Sequence, residues 1–131
     1  MGGANVGAVG YALGIERMII ALRAEGREPK AGDIVYIATM GDAAKLEGMK
    51  IAQSIRDEIK SEDVVVLTDI GETSLKSQLR SADKNKARIV IMLGEDELKE
   101  GKVTIKDMSG KAPQALVSAG TIIEEVRKRL C

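Results

Sequence analysis

At 131 residues the chain has the length of one domain with a short appendage, enough to bury about two-thirds of its unfolded surface without disulfides. Its 20 basic and 20 acidic residues cancel, so overall charge points to no polyanion partner and any nucleic-acid site has to be a local patch. One terminal cysteine, Cys131, makes no disulfide framework and fits a reducing compartment. With two tyrosines and no Phe or Trp, stacking on aromatic platforms does not dominate any nucleic-acid contact.

Residues 1–9, MGGANVGAV, are small and Gly-rich and read as a turn, a strand end or a cut. Residues 11–24 then read as a helix that is apolar nearly all round, a pattern that predicts burial on every side. Glu16-Arg17 interrupts this run, which is too short for a membrane span, and no positive charge precedes it as in a signal peptide. Two Gly, a Pro and several charges within residues 25–33 mark a linker or domain boundary.

The pattern then becomes regular. Ile34–Thr39, Val64–Leu67 and Arg88–Leu93 are short β-rich runs. Between the first two, Asp42 opens a helix to about Lys60, with Ala44, Gly48, Ile51, Ala52, Ile55 and Ile59 on one stripe. After the second run and a DIGET loop, Ser74 opens a helix to about Asn85. GEDELKEG turns the chain after the third. KVTIKD alternates, and SGK (Ser109–Lys111) suits a hairpin connection to a weaker strand near Ala115–Val117. A last helix runs from about Ala119 to Leu130. The order β-α-β-α-β-β-β-α predicts a three-layer α/β/α domain: a mixed five-stranded sheet, its first three strands parallel through right-handed crossovers, preceded by the apolar helix.

Little in this domain supports catalysis. There is no histidine, which removes the commonest general base and metal ligand, and with one terminal cysteine no metal site is expected. TMGDAAKLEG after the first strand has the wrong spacing for a phosphate loop. The segment from Lys76 to Arg88 is locally basic. Lys76, Arg80 and Lys84 share one helix face, followed by Lys86 and Arg88, with only Asp83 opposing them. Such a face is either solvated or a phosphate-contacting ridge at the carboxyl ends of the strands. Glu95, Asp96 and Glu97 are either a polar turn or acceptors for base amino and imino groups. A basic ridge beside an acidic turn suits an unpaired RNA loop with splayed bases.

Two stretches carry a resemblance. GYALGIERMIIAL, Gly10 to Leu22, resembles the third signature motif of class II aminoacyl-tRNA synthetases in its histidyl-type form, Gly-(Phe/Tyr)-Ala-(Ile/Leu)-Gly-(Ile/Leu)-Glu-Arg. TDIGETSLKSQLRSADKNKARIVIMLGEDELKEGKVTIKDM is similar to the class IIa anticodon-binding domain, its SLKSQLRSAD and GEDELKEGKVTIKD stretches especially to that of histidyl-tRNA synthetases. Together the two span nearly the whole chain, in the family's order.

The resemblance implies residues 1–30 as a remnant of the catalytic domain's third motif plus linker, and residues 31–131 as an anticodon-binding domain. By it, Arg17 would contact the phosphates of ATP, Gly14 would leave room beside the adenine, and Glu16 would hold the local charge network. The chain would be the C-terminal part of a larger cytoplasmic ligase that joins histidine to its tRNA using ATP and magnesium. Alone it would hold no cofactor and would not activate histidine. Its partner would be the anticodon stem-loop of histidine tRNA. Glu72, Thr73, Lys76, Gln78, Arg80, Glu97 and Lys106 would form the contact surface, with Lys76 and Arg80 on phosphates and Gln78, Glu97 and Lys106 at base edges. The apolar helix would pair with its copy in a homodimer, and no membrane is involved. Two rivals are a synthetase-like regulatory or tRNA-sensing paralogue without aminoacylation, and a flavodoxin-like small-ligand module. The intact Gly14, Glu16 and Arg17 weigh against the first. The missing phosphate loop and the final hairpin weigh against the second.

Overall fold

The computed structural model describes residues 7, 9–27, 32–59, 64–69 and 71–131. The readings of residues 1–6 and 8, and of 28–31 in the middle of the expected linker, lie outside the described residues. The chain forms two compact units, Met1–Lys30 and Ala31–Cys131.

The first unit is built on helix α1, Ile15–Ala24. It begins four residues later than the apolar pattern predicts. Gly14, the residue before it, is extended, with φ −88° and ψ 103°, and offers no capping side chain, so nothing holds Tyr11–Leu13 in helical form. The other end is well terminated. Gly26 is left-handed (φ +71°); its N–H donates to the Arg23 carbonyl and the Arg27 N–H to the Leu22 carbonyl. This paired bonding satisfies two of the last helical carbonyls and needs the freedom of glycine at that position. None of the residues of α1 is buried, contrary to the expectation for a helix so apolar. Among the described residues of their unit, these ten helical residues have no second element to pack against.

The second unit is a five-stranded sheet in the order β2-β1-β3-β4-β5. The strands are β1 (Asp33–Thr39), β2 (Val64–Thr68), β3 (Ile89–Leu93), β4 (Lys102–Asp107) and β5 (Ala115–Ser118). β1 pairs in parallel with β2 and β3, while β4 and β5 run antiparallel. The apolar runs of β1 and β3 follow from position: central parallel strands are covered on both faces, so Val35–Ala38 and Ile89–Ile91 are all buried. Helices α2 (Asp42–Glu58) and α5 (Ile122–Leu130) cover one face, packing Ala44, Ile51, Ile55, Ile122 and Val126 on Val35, Ile37 and Ile91. Helix α3 (Leu75–Lys84) covers the other, with Ala82, Leu75 and Leu79 against Tyr36, Ala38 and Val90.

Two boundaries differ from the sequence pattern. GEDELKEG is not a plain turn: Glu95–Lys99 forms a short helix, α4. Three acids in its first turn and Lys99 in its last match the helix dipole, but five residues are too few to show a helical period. The last helix opens with a 3-10 turn, Ala119–Thr121, which the Ser118 hydroxyl caps by accepting from the Gly120 N–H.

Candidate nucleic-acid interface

The direction of chain crossing sets the site. From β1 the chain passes through α2 to β2 on one side of β1; from β2 it passes through α3 on the opposite face to β3 on the other side. The loops therefore part at the carboxyl ends of β1 and β3, the place where open α/β sheets leave a crevice. A crevice of about 590 Å³ lies there, between Met40 and Gly41 after β1, Leu75 of α3, Met92 of β3, Glu95–Glu97 of α4 and Gln114. A second hollow of about 580 Å³ shares Met40, Gly41 and Leu75 and extends to Lys45, Glu72, Thr73 and Lys76.

Local sequence explains the walls. Gly41 has φ +91°, a backbone conformation that favours glycine, and a Cβ there would stand 2.9 Å from Glu95 Oε1, so the β1–α2 loop runs close to the Glu95 side chain. The loop after β2 is shaped by Asp69. Its Oδ1 accepts from the Gly71 N–H at 2.8 Å and its Oδ2 from the Thr73 hydroxyl at 2.6 Å. The Thr73 hydroxyl first, and then the Gly71 amide, hold the Asp69 carboxyl below the usual carboxylate range, with the Lys45 charge adding to the effect. Ser74 caps α3, its Oγ accepting from the Ser77 N–H at 3.3 Å.

The expected contact residues separate into groups. Glu72, Thr73 and Lys76 line the second hollow and Glu97 the first, so these four fall on two adjoining hollows that share Met40, Gly41 and Leu75. Arg80 is exposed one turn further along α3, outside both hollows. Lys106 is half-buried on β4 opposite Val90, on the sheet face that α3 covers.

Gln78 is misplaced by the sequence reading. It is 1% exposed, and all its side-chain hydrogen bonds go to backbone: to the N–H and carbonyl of Thr39 and the carbonyl of Thr73. A side chain so enclosed does not reach a base edge. Arg88 likewise leaves the basic ridge. It sits at the other end of the sheet, paired with the Asp33 carboxylate and donating to the Arg129 carbonyl.

Gly14, Glu16 and Arg17 lie in the first unit at the exposed start of α1. A nucleotide site needs walls that hold the phosphates in place, and an arginine on an open helix supplies none. These residues alone do not fit ATP. Among the described residues no cluster of His, Cys, Asp or Glu suits a metal ion, and no helix is long and apolar enough to cross a membrane.

Sequence reasoning missed Met40, Gly41, Lys45, Met92 and Gln114 as walls. Only Gly41 carried a signal, a glycine two residues after a strand.

Residues 34–129 match the family described as anticodon binding domain. The chain belongs to that family. Over 112 residues this anticodon-binding domain and its N-terminal segment are 38% identical to the histidine–tRNA ligase of Marinomonas sp., covering 83% of this chain and 26% of that ligase. They are 35% identical over 129 residues to the histidine–tRNA ligase of Neisseria gonorrhoeae, covering 98% and 29%. The histidyl-tRNA synthetase structure from Nostoc sp. superposes with a TM-score of 0.63 at 26% identity, over 91% of this chain and 28% of that one. The chain thus spans about a quarter of the length of these relatives.

Proposed function

We propose that this chain reads the anticodon of histidine tRNA as the C-terminal part of a histidine–tRNA ligase working in the cytoplasm. The observation that carries the reading is the pair of adjoining hollows at the carboxyl ends of the parallel strands, one lined by Lys76 and the other by Glu97, in a chain whose residues 34–129 match the anticodon-binding family. In the whole ligase, ATP with magnesium would activate histidine, and the motif at Gly14, Glu16 and Arg17 would belong to that site. The 131 residues here would serve tRNA binding only.

Within this reading Lys76 and Arg80 approach phosphates as they do in a solvated ridge, where long flexible cations meet a mobile backbone. Glu97 accepts hydrogen bonds from base amino and imino groups, and Glu72, Thr73 and Lys106 supply further polar contacts. α1 pairs with α1 of a second copy, which covers apolar side chains that its own unit leaves open.

The test is a titration with an RNA stem-loop bearing the histidine anticodon. The double variant Lys76→Ala, Arg80→Ala is expected to flatten the dependence of log affinity on log salt by about 1.4, the loss of two single-strand phosphate contacts. Glu97→Gln is expected to narrow the preference for the histidine anticodon over other loops. No binding by the parent chain, or a salt slope indifferent to both cations, sinks the reading.

A further inference from the structure

Thr39 ends β1 beyond the reach of its neighbour. In this region the Met40 N–H donates to the Leu93 carbonyl and the Ile34 carbonyl accepts from the Arg88 N–H. Even-numbered positions of β1 therefore bond towards β3, and odd-numbered positions towards β2, since parallel ladders alternate sides. The pairing with β2 stops at Ile37 and Thr68, two residues short of Thr39. Thr39 is buried, and among the described residues no strand receives its N–H and carbonyl.

Gln78 takes the place of that strand. Its Oε1 accepts from the Thr39 N–H at 2.8 Å and its Nε2 donates to the Thr39 carbonyl at 2.8 Å. A primary amide carries the same donor and acceptor as a peptide group, so the side chain continues the ladder by one rung. The second Nε2 hydrogen goes to the Thr73 carbonyl at 3.0 Å. One side chain thus ties the end of β1, which leads into Met40 and Gly41, to the loop that carries Glu72 and Thr73. Those are two walls of the same depression.

We infer that Gln78 is a positioning residue for RNA recognition: its amide clamps the end of β1 to the β2–α3 loop and sets the shape of the depression without touching the RNA. This inference rests on the proposed reading of the site. Of the standard side chains this long, only glutamine brings both a carbonyl acceptor and a two-hydrogen donor. Glutamate keeps the shape and the acceptor but, when ionised, presents a second oxygen to two carbonyls where donors are required. Protonation restores one donor.

The test is stem-loop affinity of the full chain and of Gln78→Glu across pH 8 to 5, well below each melting temperature. At pH 8 the variant is expected to bind about tenfold more weakly, in keeping with buried acceptors left unsatisfied. The gap should narrow as the new carboxyl is protonated. Asp42, Lys45, Glu72 and Lys76 line the neighbouring hollow, Asp69 holds Thr73 and Tyr36 packs with α3; all are common to parent and variant, so the ratio of the two affinities isolates the substituted side chain. Equal affinity at every pH, with only the melting temperature lowered, overturns the clamp. A constant gap that does not respond to pH overturns it as well. If Gln78→Glu does not fold, amide exchange in the parent decides: the Thr39 N–H should be protected and should exchange more slowly with stem-loop bound. An open or RNA-indifferent Thr39 amide overturns the inference. A parent chain that binds no stem-loop at any pH overturns the functional reading instead.

Discussion

Asp69 shapes the site as an anion. The Thr73 hydroxyl and the Gly71 amide both donate to it, and both favour its charged form. Its pKa is lower folded than unfolded, so its contribution to stability is complete above the unfolded value of about 3.9 and disappears as pH falls through the folded value. Asp69→Ala is therefore expected to be less stable than the parent at pH 7, with the difference shrinking on acidification below about pH 4. Urea unfolding at a series of pH values measures this; a difference constant down to pH 2 contradicts it. The motif was legible, since Asp followed by Gly and Thr within DIGET is a turn signal. Gln78 was not. In LKSQLR it looks like one more polar residue on a charged helix, because its partners are backbone groups of a strand 39 residues earlier. Long-range satisfaction of that kind leaves no periodic trace.

At the scale of elements, α2 approaches β1 closely at Gly48. A Cβ on Gly48 would stand 2.7 Å from the Thr39 Cγ2 and 3.3 Å from the Ile37 Cγ2. Glycine in mid-helix costs about 1 kcal/mol against alanine, a penalty accepted here for close approach. Gly48→Ala is expected to destabilise by about 1 to 3 kcal/mol despite its better helix propensity, because helix and strand must separate. A stabilised Gly48→Ala in thermal melting would show that α2 has room to shift. The stripe that includes Gly48 was readable, since Ala44, Gly48, Ile51, Ala52 and Ile55 recur at helical spacing and all are buried. α4 lacked the length to show any period, and α1 began late because Gly14 extends the chain.

Across the molecule, every buried residue among those described belongs to the unit Ala31–Cys131. That unit holds its own core on both faces of the sheet, so deleting residues 1–30 is expected to leave a folded protein that melts within a few degrees of the parent. Meanwhile Leu13, Ile15, Met18, Ile19, Ile20 and Leu22 remain 41% to 68% exposed, an apolar set that a soluble monomer seldom presents. The full chain should dimerise with rising concentration and the truncated one should not. Sedimentation equilibrium reads both; a full chain that stays monomeric at high concentration, or a deletion that fails to fold, is the contrary result.

The strand order has a consequence in time. β1 comes first in the sequence of its unit but lies in the interior of the sheet, and its partner β3 begins with Ile89. β4 and β5, by contrast, are neighbours in sequence and can zip locally. Closing long loops before any contact rewards them is slow, so the β1–β3 seam is expected to form late. The depression lies along the end of that seam. On the proposed reading, a chain synthesised only as far as Leu93 still lacks the Glu95–Glu97 and Gln114 walls of the crevice, so a nascent copy holds only part of its tRNA surface. In refolding from denaturant, stem-loop binding should recover only with the slowest phase; binding that returns ahead of the fluorescence or circular-dichroism signal would place the seam early.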